Sequence, residues 1–269
     1  MRIDFHTHAF PDALAPRAMA VLEKNCAADG GIRPHTNGTA GDAKKKLTAA
    51  GIDRAVICNI ATNAHQEKRV NDFAISLLSD PFFFPLGSVH PDSTEMESEL
   101  DRLVRAGIKG IKLHPDYVRI PFSDVRFDRI LAAAHARGLF VVVHAGLDPV
   151  SPDCIHCTPK MLLAAVERHK GLALIAAHMG GFRLAREVLD TLVGRDIYLD
   201  TSLCALRADE APLLTRILRE HRADRLLFAT DTPWSAAEAE IRFIENGGLD
   251  GDRLHAVFEG NAKRLLGLV

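Results

Sequence analysis

Six of the thirteen histidines close short β-rich runs: His6, His8, His90, His114, His144 and His178. Asp231 closes another run, and Lys112 lies two residues before His114. Imidazoles and carboxylates gathered in this way are divalent-metal ligands or acid–base groups. His6-Thr7-His8 is spaced i, i+2, which on a strand puts both rings on one face. Two neutral imidazoles side by side in a core are costly unless each has a partner. A metal supplies both; two hydrogen-bonded core histidines are the plain alternative. Three histidines and one aspartate match a catalytic zinc site, with water in the remaining position. The ion would bring that water's pKa down to ~7 and polarise a bound carbonyl.

Residues around these groups support a site. His144 precedes Ala145-Gly146, and His178 precedes Met179-Gly180-Gly181; small residues let the backbone make room for a ligand. Asp231 reads as a ligand, a base or a loop cap. His114 shares a strand face with Lys112 and is a candidate substrate contact with it. Asp200 and Ser202 close a further run and read as hydrogen-bonding support. His90-Pro91 would reach the site or cap a turn. Arg119 and Arg183 are candidate carboxylate clamps, with surface ion pairs the plainer role, and Trp234 walls the pocket or packs a helix start. His135, His169 and His221 fall in last helical turns, where a cation suits the dipole, while His35, His65, His156 and His255 show no pattern. Cys154-Ile155-His156-Cys157 resembles half of a zinc site, but no second CxxC completes four ligands.

The elements that must position these side chains repeat. Eight β-rich runs occupy 3–8, 54–60, 82–90, 110–114, 140–144, 173–178, 197–202 and 226–231. From the second onward their ends lie 24 to 34 residues apart, the length of a strand–helix–strand unit. Helical stretches are predicted at 42–50, 64–78, 94–106, 125–137, 159–170, 182–193 and 210–221. Several end at a glycine (Gly51, Gly107, Gly138, Gly171, Gly194) with a strand directly after. Alternating parallel strands and helices give a closed barrel or an open doubly wound sheet; eight units favour a (β/α)8 TIM barrel, whose sites sit at the carboxyl ends of the strands. A long Pro/Gly/Ala-rich segment, 9–41, follows the first run and reads as a lid or rim with helix near 14–24. A second long loop spans 146–158, and helices at 236–245 and 252–266 close the chain.

Bulk properties agree. The 269 residues suit one barrel domain covering 1–269. Apolar residues make up 47% and charged residues 25%, ordinary for a globular protein. The net charge of −2 and the absence of a basic stripe argue against nucleic acid; Lys44-Lys45-Lys46 reads as a solvated helix face. No apolar run approaches a membrane span. The charged N-terminus is unlike a secretory signal, and the five cysteines read as reduced thiols of a cytoplasmic protein. Homo-oligomers are common among barrels, but no interface signal is visible.

The order His-x-His, His, His, Asp on runs one, five, six and eight resembles the amidohydrolase superfamily. The phrases GIKLHP, VVVHAG, AAHMGG and ATDTPW resemble its amidohydrolase-related branch, which includes metal-dependent hydrolases and the aminocarboxymuconate-semialdehyde decarboxylase group. The resemblance spans nearly the whole chain. It implies that His6, His8 and Asp231 bind one ion, Zn²⁺ by expectation, with His144 as fourth ligand and His178 free for acid–base work. In binuclear relatives, His144 and His178 would instead hold a second ion, bridged by a carboxylated lysine or a glutamate on the fourth strand. Lys112 stands near that bridging position, and substrate-carboxylate binding is preferred for it over carboxylation or snorkelling. The expected reaction is hydrolysis of a small ester, lactone or amide, with Asp231 and His178 catalytic. The alternative is non-oxidative decarboxylation of an aromatic or unsaturated acid. A barrel that binds without turnover is disfavoured by the intact ligand set. The substrate is expected to be small and anionic.

Overall fold

The computed structural model describes residues 1–26 and 32–268. Eight parallel strands alternate with helices: β1 Ile3–Thr7, β2 Arg54–Cys58, β3 Phe83–Leu86, β4 Gly110–Leu113, β5 Phe140–Val143, β6 Leu174–Ala176, β7 Tyr198–Asp200 and β8 Leu226–Leu227. Continuous ladders run β1-β2-β3 and β4 through β8. Two sets of backbone hydrogen bonds join these halves. Gly87 donates to Gly110 and Lys112 to Gly87 at one seam. Phe5 donates to Phe228, Asp231 to His6 and His8 to Thr232 at the other. The strand order thus returns from β8 to β1, as an eight-unit barrel requires.

Two layers of apolar side chains follow from the period of two. Ile3, Phe5, Val56, Cys58, Phe140, Val142, Ile175, Tyr198 and Leu227 pack into one cluster inside the ring. Their neighbours Ala55, Ile57, Ile111, Leu113, Val141, Val143, Leu174 and Leu226 face outward and pack with the helices. The expected helices are present, all but the first in shortened form. They include Ala40–Ala49, Glu67–Leu77, Met96–Ala106, Val125–Ala136, Pro159–Arg168, Ala185–Thr191 and Ala211–Glu220. All five glycines expected at helix ends have positive φ, between +67° and +96°. A one-turn helix, Pro115–Val118, was not expected; it begins directly after His114. The closing helix from 252 is continuous, Gly251–His255 and Asn261–Leu266 being joined through a π turn at Ala256–Gly260.

β1 departs from simple alternation. Asp4 is paired with Ala55 and Thr7 with Ile57, so β1 holds one residue more than β2 over this span. That bulge resolves a conflict in the sequence. Ile3 and Phe5 alternate with His6 and His8, yet all four serve the barrel interior; the extra residue changes the phase between them. The side chain of Asp4 fills the irregularity. Its Oδ1 accepts the backbone N–H groups of His6 at 3.1 Å and Thr230 at 3.0 Å, and its Oδ2 accepts the Thr230 hydroxyl at 2.6 Å. Burial raises its pKa to about 7, against the lowering effect of those hydrogen bonds. The bulge also explains why β8 is shorter than the predicted 226–231, since residues 228–231 bond to a β1 that is out of regular register.

The segment predicted as lid or rim contains a helix at Ala15–Cys26, and residues 27–31 of it lie outside the described residues. Its far end lies against the β8 connection, where His35 N–H donates to Pro233 O. Among the described residues no helix is long and apolar enough to cross a membrane.

Asp4→Ala would leave two buried amides and a hydroxyl short of their acceptor. We expect a loss of about 2–4 kcal/mol in urea denaturation; a loss below about 1 kcal/mol would show that the carboxylate does not hold the bulge.

Candidate metal centre

His6 on β1, His8 just beyond it and Asp231 beyond β8 turn their polar atoms to one point. His8 Nε2 lies 2.9 Å and His6 Nε2 3.3 Å from Asp231 Oδ1, and the two ring nitrogens are 3.2 Å apart. The opposite ring atoms settle the tautomers. His6 Nδ1 is 2.8 Å from Asp200 Oδ2. Burial works to raise the Asp200 pKa, but His6 and the surrounding hydrogen bonds outweigh it, and the net shift is downward. Asp200 is therefore an anionic acceptor, and His6 Nδ1 carries the proton. His8 Nδ1 donates to the carbonyl of Cys58 at 2.8 Å. Both Nε2 atoms thus carry lone pairs, and they face an Asp231 oxygen that no donor reaches.

Three acceptors converging in a buried place repel one another unless a cation lies between them. Zinc bonds of ~2.0–2.2 Å place tetrahedral ligands roughly 3.4 Å apart. The observed separations are close to that, so these residues fit a divalent ion. Lys112 Nζ, on β4, donates to His6 Nε2 at 3.0 Å. Its side chain is 1% exposed, and none of the described ion pairs includes it.

A second chain of hydrogen bonds fixes His178, which follows β6. The Ser202 hydroxyl donates to Asp200 Oδ1 at 2.5 Å. Its oxygen must then accept from His178 Nδ1, at 2.8 Å. His178 Nε2 is left as an acceptor, 3.0 Å from His144 Nδ1, which donates to it. Burial holds the pKa of His178 and of His144 well below the ordinary imidazole value, with neighbouring histidines adding to the effect. Both rings are neutral. His178 and Asp231 adopt left-handed φ values of +57° and +65°, conformations non-glycine residues hold only where the surroundings impose them. At His178 the imposing group is Arg207, fully buried, which donates to the carbonyls of His178 and Gly181 at 3.0 and 3.1 Å.

Of the expected ligands, the structure brings His6, His8 and Asp231 into one group. His144 is not part of that group. With His114 and Asp148 it forms a second group of potential donors. Its ring stacks on His114 with centroids 4.1 Å apart and planes 12° apart. Asp116, in the turn after β4, and Asp148, in the loop after β5, each place an oxygen 3.8 Å from His144 Nε2. Sequence reasoning missed both aspartates, and Asp4 as well. The one available signal was position: Asp116 is two residues past His114, and Asp148 four past His144.

The remaining candidates have local partners. His90 Nδ1 accepts from Asp92 N–H and caps a turn. Arg183 forms an exposed ion pair with Asp209 rather than a clamp. His169 pairs with Asp128, and His221 with the carbonyl of Ile197. His156 joins Asp116 at 3.0 Å. Among the described residues no potential metal group includes Cys154 or Cys157.

A parallel α/β barrel with His and Asp donors at the carboxyl ends of its strands is the framework of a metal-dependent enzyme. The chain belongs to the amidohydrolase family, whose model matches residues 3–268. A comparison with curated protein sequences finds no significant match. Solved structures that share the fold include an uncharacterised TIM-barrel protein from Bordetella bronchiseptica. It has 18% identity and a TM-score of 0.78, with 99% of this chain and 98% of that one covered. A 5-carboxyvanillate decarboxylase from Novosphingobium aromaticivorans, complexed with manganese and 4-hydroxy-3-methoxy-5-nitrobenzoic acid, has 16% identity and a TM-score of 0.71, covering 100% and 96%. A probable 2-pyrone-4,6-dicarboxylic acid hydrolase from Acinetobacter baumannii, with citric acid bound, has 15% identity and a TM-score of 0.69, covering 99% of each chain. The protein is an enzyme of the amidohydrolase superfamily, and its family and donor groups support a divalent metal.

Three donors already occupy Asp200 Oδ1: the Ser202 hydroxyl, Ser202 N–H and His178 N–H. In Asp200→Asn the amide nitrogen is therefore forced toward His6 Nδ1 and reverses its tautomer. We expect affinity for Zn²⁺ to fall ~10–100-fold in a competition titration against a chromogenic chelator, with the melting profile little changed. Wild-type affinity in the variant would refute this role.

Proposed function

We propose that the protein is a metal-dependent hydrolase of a small anionic ester, lactone or amide. The observation that carries this reading is the unpartnered, buried Asp231 Oδ1 beside the lone pairs of His6 and His8. The inward-facing groups are proton acceptors, which is what activation of a water requires. His6, His8 and Asp231 would hold the ion, with His144 as the fourth ligand implied by the family pattern; Zn²⁺ and Mn²⁺ both suit such donors. Bound there, a divalent ion acidifies a water and polarises the carbonyl under attack. Asp231 accepts the proton of the attacking water and returns it to the leaving oxygen or nitrogen. His178, neutral and held at Nδ1 by Ser202, has its Nε2 lone pair on the His144 Nδ1 hydrogen bond, and would serve as a second acceptor on release of that bond. Lys112 and His114 orient the substrate. A buried ammonium without a carboxylate partner favours an anionic group in its vicinity, and this supports the anionic substrate class.

Decarboxylation is the second reading. It is favoured by the full-length likeness to the manganese-containing carboxyvanillate decarboxylase. The same ligands would serve it, with His178 and Asp231 moving the proton, because fold and ligand set do not decide chemistry.

The two reactions differ in where atoms go. The Zn²⁺- or Mn²⁺-loaded protein should be offered small carboxylated lactones, esters and amides together with hydroxylated aromatic acids, in ¹⁸O-labelled water. Hydrolysis places one ¹⁸O in the product acid and releases no CO2. CO2 release with solvent hydrogen at the vacated carbon would replace the hydrolytic reading with the second one. On the substrate found, Asp231→Asn is expected to lower kcat by ~10²–10⁴-fold. Lys112→Met is expected to raise KM more for an anionic substrate than for its neutral ester.

A further inference from the structure

The turn that carries His178 has a backbone shape that side chains rarely adopt. Between residues 178 and 183, His178, Met179, Gly180 and Arg183 all have positive φ, at +57°, +57°, +84° and +63°. Only one of these is glycine, so the surroundings must impose the shape. Within the turn, Gly180 N–H donates to Ala177 O at 3.1 Å and Gly181 N–H to His178 O at 3.2 Å. The loop after β7 supplies the rest. Asp200 Oδ1 accepts His178 N–H, and Ser202 Oγ holds the ring at Nδ1. Arg207 closes on the other side of the peptide. Its Nη1 donates to His178 O at 3.0 Å and its Nη2 to Gly181 O at 3.1 Å.

Arg207 is itself fixed. Its side chain is fully buried, and Glu210 Oε2 lies 2.8 Å from its Nε and 2.7 Å from its Nη2. The other Glu210 oxygen accepts Ala185 N–H at 3.0 Å, at the start of the helix Ala185–Thr191. The guanidinium stands 5.4 Å from the ring centroid of Phe182. Phe182 N–H donates to Ala145 O at 2.9 Å, and Leu147 N–H donates to Phe182 O at 3.0 Å. One side chain thus braces the turns after β5 and β6 together. A buried ion pair adds little net stability over an apolar side chain of the same volume. What the guanidinium offers instead is a rigid fork of donors that sets two carbonyls at fixed positions.

We propose that Arg207, clamped by Glu210, is a positioning residue for His178. By fixing the carbonyls of His178 and Gly181 it keeps the imidazole on Ser202, with Nε2 turned to His144. Arg207 acts through His178 and is not itself among the groups placed at the metal or the substrate. Its effect on turnover rests on the proton-accepting role proposed for His178; its effect on the ring does not depend on which bond the enzyme breaks.

The test uses the metal-loaded full chain with ¹⁵N-labelled histidine. Long-range ¹H–¹⁵N spectra report the tautomer of each ring, and His178→Asn assigns the His178 signals by their loss. The double variant Arg207→Met, Glu210→Gln removes the ion pair without leaving a carboxylate unpaired, and Arg207→Lys keeps the charge but not the fork. In the double variant the single Nδ1-protonated form of His178 is expected to give way to a mixture of tautomers, with the His6 and His8 signals and the metal content at wild-type values. Arg207→Lys should show the same change in part. On the substrate found, kcat should fall ~10–100-fold in the double variant, with KM within about twofold. A wild-type His178 pattern in the double variant would overturn the proposal. So would a simultaneous loss of metal or of the His6 and His8 signals, because Arg207 would then support the barrel as a whole rather than His178. If the double variant does not fold, Arg207→Lys decides alone: a change confined to His178 supports the proposal, and an unchanged pattern refutes it. The spectra are read without substrate, so they decide the positioning even where no ester, lactone or amide is turned over, and the two readings fail separately.

Discussion

The extra residue in β1 is the constraint on which the site depends. A strand in strict alternation could line the lower barrel with Ile3 and Phe5, or aim His6 and His8 into its mouth, but not both. The bulge between Asp4 and Thr7 lets one strand serve both layers. It leaves amide groups that must be satisfied away from water, and Asp4 satisfies them from both sides of the β8–β1 seam. The same carboxylate therefore anchors Thr230, one residue before Asp231. One ligand of the metal centre, His6, and the residue preceding another, Asp231, are tied to one buried acid. Disturbing that acid moves metal affinity and stability together.

Above the bulge, Asp200 does for protons what Asp4 does for backbone. It sits at the end of β7 with both oxygens occupied, one by His6 and one by the Ser202–His178 pair. A carboxylate that only accepts leaves its partners no choice of tautomer. Each ring then passes the choice on, from His178 to His144. Neutral imidazoles otherwise exist as two tautomers, and only one presents a lone pair to an ion. Fixing that choice with a buried anion is how a barrel of neutral histidines becomes a ligand set. The left-handed backbone at His178 and Asp231 shows that the fold accepts local strain to aim these two side chains.

The barrel was legible in the sequence because its signal is repeated. Eight apolar runs at similar spacing, with glycines ending helices, leave few architectures open. His6, His8 and Asp231 were legible as one group because strand ends in a barrel meet at one face. The hydrogen bonds that orient His144 were not. Its strand end was correct, but which nitrogen points where depends on Ser202 and Asp200, residues 58 and 56 positions away. Asp116 and Asp148 lie in a turn and a loop, where no periodicity announces which way a side chain faces. The bulge was hidden for a related reason. Sequence alternation is read against a perfect strand, and Asp4 resembles an ordinary buried-strand exception until Thr230 is placed opposite it. Local pattern thus carried the scaffold, and contacts between distant elements carried the chemistry.

Charge balance ties the two groups of donors together. Asp116, Asp148, Asp200 and Asp231 gather around the barrel mouth, with Lys112 the cation among them. The imidazoles between them are neutral, because burial depresses their protonation. One divalent ion leaves the cluster negative, and burial offers the surplus charge little solvent to relieve it. The raised pKa of Asp116, caused first by its burial, shows how part of that surplus is relieved: this carboxylate takes up a proton more readily than an exposed one.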